Sequence, residues 1–433
     1  MPPIRIKSKC CWKENEPFRL VLSRNRRLPD HRAEPGKYML NRPISRRDFV
    51  KTSVTAIAGV TATSLVPGRV LAGATDWPIH PYDDQTVVRA YDPKVYAGTI
   101  HQPWNSPEND YYWRNLDGGR LRAMLERAIL QLTGAVTPAE AWKLILPGVS
   151  AASRVAIKAN MNNTDLPRFR GDWMRRLLSD PPMITALARS LGAAGIADAN
   201  ITVFDRSRTF PDEFRKDIQA GVTVLGKGQM KDSNERIRIS DKPGYSFALP
   251  DCVAEADYLI SLHLLKNHAG GVTGCHKNLF GLAENVAAFA HQPDWTANHQ
   301  QRDIITHPVI QSKLKLVISE AVFSSLHGPD FLDLFSKPDF FPEGKMSSLI
   351  VSRSPFYHDA VLYDFMNVEK KNRLDRAIGN DRWLRNCCAS NGGYASWREE
   401  VLGAGRIVGA GGKLPPKDLA YDPSVIRYLS VGV

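Results

Sequence analysis

The fold class follows from the stretch MITALARSLGAAGIADANITVF, residues 183–204. Its first half places Met, Ile, Leu and Ala at helical spacing over Met183–Ala194, and it ends in the β-branched run Ile201–Phe204. A helix that leads through a Gly-containing turn into a short apolar strand is the repeating unit of α/β proteins. The stretch therefore predicts a strand in a sheet that helices cover.

The same alternation continues on both sides of this stretch. Further strands are predicted at Val155–Lys158, Val222–Leu225, Tyr258–Leu262, Leu316–Ser319 and Leu349–Ser352. Further helices are predicted at Gly119–Thr133, Asp212–Ala220, Asn278–Ala288 and His358–Glu369, and Gly226–Leu249 is predicted to be a β excursion. Because helices separate most of the strands, the sheet is expected to be largely parallel. The predicted class is α/β, a doubly wound, Rossmann-like sheet with insertions and irregular N- and C-terminal flanks.

Composition divides the chain into five segments. Residues 1–38 are basic and aperiodic, and we predict that they are an upstream extension outside the natural protein, with Met39 as its start. Residues 39–74 are a predicted signal peptide, and residues 75–150 an irregular arm followed by a helix. Residues 151–375 form the α/β core, and residues 376–433 an irregular C-terminal flank.

The signal peptide is predicted from three features in order. They are the motif SRRDFVK at residues 45–51, an uncharged stretch at residues 52–66, and the small-x-small triplet AGA at residues 72–74. Together they resemble a bacterial twin-arginine signal. The uncharged stretch is too short and too rich in Ala, Gly and Thr for a stable membrane span. We therefore expect export to the periplasm by the twin-arginine translocase.

Charge and cysteine content exclude two classes of protein. The formal net charge is +12, but residues 1–75 alone carry 15 Lys and Arg against 5 Asp and Glu, so the core is nearly neutral. This balance argues against nucleic acid as a partner. No C-x-x-C pair occurs, so the chain carries no iron-sulfur motif. Disulfides and buried free thiols both remain open for Cys252, Cys275, Cys387 and Cys388.

Polar residues gather where predicted strands end. Lys158 and Asn160 close the first strand of the core, Asp205 follows the second, and Glu320 follows Leu316–Ser319. In an open parallel sheet, ligands bind in the crevice outside the carboxyl ends of the strands. We expect Lys158 and Asn160 to bind a ligand there, and Asp205 and Glu320 to hold a divalent metal ion or a substrate hydroxyl.

The segment richest in candidate residues is LLKNHAGGVTGCHKNLFG, residues 264–281. Its candidate site residues are Lys266, His268, Gly270, Gly271, Thr273, Gly274, Lys277 and Asn278. Glycines let a ligand approach the backbone closely, and ammonium groups before a helix N-terminus favour a phosphate or carboxylate. The residue order of a Walker motif is absent. We predict an anion site in which His268 is the general acid or base, with Lys266 and Asp205 as further catalytic residues.

A metal site is the second interpretation of this segment. His263, His268, Cys275 and His276 are metal-ligating residue types, with Asp205 and Glu320 as carboxylate donors, but their spacing fits no standard site. Asp359 lies in the first turn of a predicted helix, and we interpret it as a cap of that helix rather than a catalytic group.

Five motifs occur in the order found in a known family. They are VAIKAN at 155–160, ADYLI at 256–260, LKNH at 265–268, VTGCHKNLFG at 272–281 and Gly328-Pro329. Over Val155–Asp364 they resemble the bacterial and archaeal domain of unknown function 362. The resemblance implies the α/β fold and a site role for Lys158, Lys266, His268, Lys277 and Asn278.

The resemblance implies no established reaction. Many members carry an appended ferredoxin module, which this chain lacks, and Glu320 stands where the family often has an aspartate. The sequence predicts an exported enzyme that binds a small phosphate- or carboxylate-bearing ligand, with a divalent metal as the expected cofactor. The alternative is a non-catalytic binding or cofactor-maturation protein for an exported partner. An iron-sulfur electron-transfer protein is disfavoured by the cysteine spacing.

Overall fold

The computed structural model describes residues 81–433 with gaps. The positions outside the description are 103, 163, 165–171, 241, 269–270, 287, 289–298, 326–343, 375–420, 422 and 424–425. The predicted upstream extension and signal peptide, Gly270, Gly328-Pro329, Cys387 and Cys388 therefore lie outside the described residues. No helix within the described residues has the length and hydropathy required to span a bilayer.

Eleven strands and nine α-helices are found in the described residues. The strands are β1 Thr86–Tyr91, β2 Val155–Lys158, β3 Ile201–Phe204, β4 Thr223–Leu225, β5 Asp232–Arg238, β6 Ser246–Pro250, β7 Tyr258–His268, β8 Gly271–Thr273, β9 Leu314–Ser325, β10 Ser348–Ser352 and β11 Arg427–Gly432. The helices are α1 Gly118–Thr133, α2 Pro138–Ile145, α3 Pro181–Gly192, α4 Asp212–Asp217, α5 Asp251–Ala254, α6 Cys275–Asn278, α7 His299–Ile305, α8 Pro308–Lys313 and α9 Pro355–Leu374.

Nine of these strands form one sheet in the order β11-β1-β10-β9-β7-β2-β3-β4, with β8 paired to β7. The run β9-β7-β2-β3-β4 is parallel throughout. β10 is antiparallel to both of its neighbours, and β11 is parallel to β1. The remaining two strands, β5 and β6, pair as a separate antiparallel unit where a β excursion is predicted. The predicted α/β class with a largely parallel sheet is confirmed.

The sheet separates two hydrophobic cores, because successive side chains of a strand point to opposite faces. On β2, Ala156 packs into the core beside α6, α7 and α9, whereas Val155 and Ile157 pack into the core beside α1, α2 and α3. Burial of each Val, Leu or Ile side chain contributes about 1.5–3 kcal/mol. Two such layers hold the strand ends rigidly.

The topological switch point lies between β2 and β7. From β2 the chain proceeds outward through β3 to β4, and it then returns to β7 on the opposite side of β2. Connections that leave two neighbouring parallel strands in opposite directions open a crevice at their carboxyl ends. The end of β2 is Lys158, and β7 continues to His268, so the predicted site residues belong to this crevice.

The structure departs from the predicted elements in several places, and in one of them the predicted strand Leu316–Ser319 extends over Leu314–Ser325, so that Glu320 lies within β9 and not after its end. The arm before α1 contains β1, whose buried Arg89 interrupts the apolar pattern and donates to the Ser348 hydroxyl. The C-terminal flank supplies β11 to the same sheet. β7 does not end at Leu262 but continues through Lys266 to His268, and its partner β8 replaces part of the predicted Gly-rich loop.

The predicted helix Asn278–Ala288 also needs correction. The α-helix begins earlier, at Cys275, and ends at Asn278, where a 3₁₀ turn, Leu279–Leu282, continues it. This shift places Lys277 inside the helix instead of before its N-terminus, and Asn278 is the last residue of the helix instead of the first. The predicted arrangement of backbone N–H groups and lysines around an anion at one helix end is therefore not what the segment forms.

Candidate functional site

A buried ion pair joins the ends of β2 and β3. The Lys158 ammonium Nζ lies 3.2 Å from Oδ2 of Asp205, and both side chains are almost completely buried. The backbone N–H groups of Met161 and Ser207, and the Ser207 hydroxyl, donate to the Asp205 carboxylate at 3.0, 3.0 and 2.8 Å. Burial lowers the pKa of Lys158, and the charge of Asp205 partly opposes this effect. The carboxylate is thus held in a fixed position, and the ammonium is anchored by it.

Asn278 attaches α6 to the ends of β2 and β7. Its amide Nδ2 donates to the Lys158 carbonyl and to the Ser261 hydroxyl, both at 3.0 Å. Its Oδ1 accepts from Asn160 Nδ2 at 3.2 Å. Asn160 Oδ1, in contrast, has no hydrogen-bond partner within the described residues although it is buried. Buried amides are normally satisfied, so Asn160 offers an acceptor to a bound ligand.

Gly281 explains why this connection is tight. A Cβ atom at position 281 would lie 2.5 Å from Lys158 Nζ and 2.8 Å from Asp205 Oδ1. The glycine therefore leaves the space that the ion pair fills. The Gly281 carbonyl also accepts from the Arg206 N–H at 3.0 Å, which ties the 3₁₀ turn to the segment after β3.

Asp359 caps the N-terminus of α6. Its carboxylate accepts from the backbone N–H groups of Cys275 at 2.8 Å and His276 at 3.0 Å, and from His276 Nδ1 at 2.7 Å. Burial alone would raise the pKa of Asp359, but hydrogen bonds and charge interactions with His276 and His358 hold that pKa far below its usual range. Asp359 is thus a cap, as predicted, but it caps α6 and not its own helix α9.

Two lysines meet at the junction of β7, β8 and α6. Lys266 is opposite Thr273 in the β7–β8 pair, and its ammonium donates to the Leu177 carbonyl at 2.9 Å. Burial, together with the charge of Lys266, lowers the pKa of Lys277 to about 7. The buried Thr273 hydroxyl has no partner within the described residues. A cation that is half neutral at pH 7 is suited to proton transfer.

Glu320 lies in a second buried group with Asp180. The Asp180 N–H donates to Glu320 Oε2 at 3.2 Å, and the Tyr112 hydroxyl donates to Asp180 Oδ1 at 2.8 Å. Burial, and for Asp180 the charge of Glu320 as well, raises the pKa of both carboxyl groups. In a dry environment, each of two adjacent carboxyl groups makes ionisation of the other less favourable.

The structure brings together most of the predicted site residues but not the predicted metal pair. Asp205 follows β3 and Glu320 is on β9, three strand spacings away, which corresponds to about 14 Å. Each carboxyl group has a different partner, Lys158 or Asp180. Of the other candidates, His268 ends β7 and Gly271 begins β8. The His268 side chain is outside the description.

The segment that contains these site residues matches a known protein family. Residues 155–364 match the family model of the domain of unknown function DUF362. The match supports the predicted family. No curated protein matches the chain. The DUF362 segment runs from the first residue of β2 into α9, so it includes Lys158, Asp205, Lys277 and Asp359.

Several residues of the candidate site have no clear signal in the sequence. Ser261 lies in an apolar strand, and Ser207 is one of many serines, yet both hold site residues through hydrogen bonds. Asp180 precedes two prolines, which would identify it only as a helix boundary. His358 directly precedes Asp359. Among the residues that the sequence analysis missed, this His-Asp pair is the one signal that could have indicated metal ligands.

Proposed function

We propose that this protein is an exported enzyme that binds a small phosphate- or carboxylate-bearing substrate at the carboxyl ends of β2 and β7, with Lys277 as the proton-transfer group. The observation that carries the proposal is the placement of Lys266 and Lys277 at one junction: Lys266 pairs with Thr273 between β7 and β8, and Lys277 is on α6, which directly follows β8. Two neighbouring ammonium groups repel each other, and an anion between them removes that repulsion. An anionic substrate is therefore favoured here.

Neutral hydrogen-bonding groups beside the lysines narrow the substrate class. The buried Thr273 hydroxyl can donate to a phosphate or carboxylate oxygen, and the buried Asn160 Oδ1 can accept from a substrate hydroxyl. The Asn160 amide donates a hydrogen bond to Asn278, the residue that follows Lys277. A substrate that carries both an anionic group and a hydroxyl would satisfy both buried atoms.

Anion binding is tested with inorganic phosphate as the probe, by calorimetric titration of the folded protein. Lys277→Met keeps the aliphatic stem, and we expect it to weaken phosphate binding about 10- to 100-fold, the effect of one charge-assisted hydrogen bond. Lys143→Met, at an exposed position on α2, is the matched control and should bind as the wild type does. Equal phosphate affinity in Lys277→Met would contradict the assignment.

The pH dependence of anion binding has a definite sign when sulfate is the probe, because the charge of sulfate, unlike that of phosphate, does not change around neutral pH. Lys277 binds an anion as the ammonium form, which predominates below its pKa of about 7. Sulfate affinity should therefore be highest below pH 7 and decrease as the pH rises through and above 7. The bound anion raises the lysine pKa, so the midpoint in the complex should be higher than in the free protein. Lys277→Met is the control, and it should lose this dependence of sulfate affinity on pH.

Catalysis is tested separately, with a mixture of small periplasmic metabolites and mass spectrometry. The wild type should consume one compound and form another, and Lys277→Met should slow this conversion. Phosphate binding without conversion of any compound would leave the anion site intact but overturn the catalytic part of the proposal. In that case the non-catalytic binding protein predicted as the alternative is the better description.

Export is the other part of the proposal, and it is supported by the motif at residues 45–51 and the triplet at 72–74. Replacement of Arg46 and Arg47 by Lys should retain the protein in the cytoplasm, because twin-arginine signals require the Arg pair. Arg42→Lys, outside the motif, should be exported normally. Cell fractionation followed by immunodetection measures the result. Periplasmic accumulation of the double variant would contradict the twin-arginine route.

A further inference from the structure

Three metal-ligating side chains meet on the sheet face that α6 and α9 cover. One ligand atom each from His263, His358 and Asp359 lies within 4.8 Å of the other two, and all three residues are buried. The imidazole rings of His263 and His358 meet edge to face, with centroids 5.1 Å apart. His263 comes from β7, whereas His358 and Asp359 come from the first turn of α9, so the cluster joins the sheet to a helix.

The hydrogen bonds of His358 determine which of its nitrogens faces the cluster. Nε2 lies 3.1 Å from the Ile350 carbonyl, which can only accept, so Nε2 carries a hydrogen. Nδ1 lies 3.0 Å from Asp359 Oδ1, a carboxylate oxygen that is also an acceptor. Two acceptors at this distance require a cation between them, either a proton on Nδ1 or a metal ion.

His263 provides a second nitrogen to the same cluster. Its Nδ1 lies 3.3 Å from the Ser261 hydroxyl, and its Nε2 has no hydrogen-bond partner within the described residues although the residue is fully buried. A buried imidazole nitrogen without a hydrogen-bond partner is available to bind a metal ion.

We propose that His263, His358 and Asp359 bind one divalent transition-metal ion, such as Zn²⁺ or Fe²⁺. Metal–nitrogen and metal–oxygen bonds of about 2.0–2.2 Å place two ligands of one ion about 3.0–3.4 Å apart. Of the three pairs of ligand atoms, His358 Nδ1 and Asp359 Oδ1 satisfy this condition at 3.0 Å, and the pairs that include His263 lie within 4.8 Å. Two imidazoles and one carboxylate form a ligand set typical of Zn²⁺ and of non-haem Fe²⁺, and such a set leaves at least one coordination position open.

The surrounding hydrogen bonds are those that metal ligands require. A metal-ligating histidine usually donates its second N–H to a carbonyl, carboxylate or hydroxyl group, which fixes the ring. Ile350 and Ser261 provide these acceptors for His358 and His263. The backbone N–H groups of Cys275 and His276 hold the Asp359 carboxylate in place. The cluster is thus oriented before any ion enters.

This site does not depend on the proposed function, but it adjoins the same strand ends. His263 is on β7, the strand that carries Lys266 three residues later. A divalent ion here would attract an anionic substrate toward β7.

The test uses Co²⁺ as the probe, because it replaces Zn²⁺ and Fe²⁺ and has a visible spectrum. Cells that produce the full chain are grown with cobalt, since a buried site is filled most readily as the protein folds. The expected result is about one Co²⁺ per chain in the wild type and in His101→Gln, a change at a surface histidine. His263→Gln should bind Co²⁺ at least 100-fold more weakly. Loss of a residue that only supports a metal ligand already weakens metal binding about 10- to 100-fold, and His263 is proposed as a ligand itself.

A further measurement keeps the proposal testable even where His263→Gln does not fold. X-ray absorption spectroscopy of the Co²⁺-loaded wild type should show two imidazole ligands and one carboxylate. No stoichiometric Co²⁺ in the wild type, Co²⁺ without imidazole ligands, or unchanged affinity in a folded His263→Gln protein would each overturn the metal site. Lys277→Met should keep the Co²⁺ stoichiometry, so failure of the metal site and failure of the anion site are distinguishable.

Discussion

Gly274→Ala is expected to lower the free energy of unfolding by about 3–5 kcal/mol, whereas Gly192→Ala should raise it by about 0.4–1 kcal/mol. A Cβ atom at position 274 would clash with the Asp359 Cγ. Accommodation requires the carboxylate to move, and the N–H groups of Cys275 and His276 then lose their acceptor. Overpacking costs about 1–3 kcal/mol, and each buried donor without an acceptor costs a similar amount.

Gly192→Ala is the matched control for the effect that replacing any glycine by alanine has on the unfolded chain. Gly192 is the last residue of α3, and a Cβ atom there meets no atom within 4 Å. Both changes reduce the conformational freedom of the unfolded chain equally. Urea or guanidinium denaturation, followed by circular dichroism, gives both free energies. If Gly274→Ala is as stable as Gly192→Ala, Asp359 does not hold α6 as described.

Gly274 and Gly281 show what the sequence alone does not reveal. Gly274 is predicted from sequence as a residue that lets a ligand approach the backbone. In the structure, a side chain of this protein fills that space: Asp359 lies beside Gly274, and Lys158 lies beside Gly281. Sequence spacing predicts that a glycine is needed for close approach, but it does not identify the group that approaches, because the two residues are 85 positions apart in the first case.

The core of the fold could be predicted more fully. β2 and β3 have the predicted limits, because both are short β-branched runs bounded by polar residues. β7 extends beyond its apolar run, since pairing with β8 and β9 keeps the polar residues Lys266 and Asn267 in the ladder. Strand propensity depends strongly on such context, and the pairing partner of a strand end is a tertiary property.

The sequence predicts which residues belong to the site, but it does not predict which of them lie next to one another. The sequence places Lys158, Asn160, Asp205 and Asn278 at one edge of the sheet, and the hydrogen bonds between them agree with that prediction. It does not separate Glu320 from Asp205, because the order of strands in the sheet is needed for that. The order β9-β7-β2-β3 places these two carboxyl groups at opposite ends of the site.

Lys277 is expected to be the most reactive lysine of the site toward small electrophiles at pH 7. With a pKa of about 7, half of its amine is neutral at pH 7, compared with about 0.04% for an ordinary lysine of pKa about 10.4, a difference of roughly a thousandfold. Reductive methylation with formaldehyde, stopped after a short time and analysed by peptide mass spectrometry, measures this reactivity. Lys143, exposed on α2, is the internal reference.

The pH profile and one variant separate a lowered pKa from mere accessibility. The methylation rate of Lys277 should follow a titration with its midpoint near pH 7, whereas that of an ordinary lysine continues to rise to alkaline pH. Burial and the charge of Lys266 lower the Lys277 pKa, so Lys266→Met should shift the midpoint upward and reduce the rate at pH 7. A Lys277 rate that shows no midpoint near pH 7 and rises to alkaline pH would contradict the lowered pKa. Because a bound anion stabilises the ammonium form, phosphate should slow methylation of Lys277 but not of Lys143, which links the reactivity directly to the proposed substrate site.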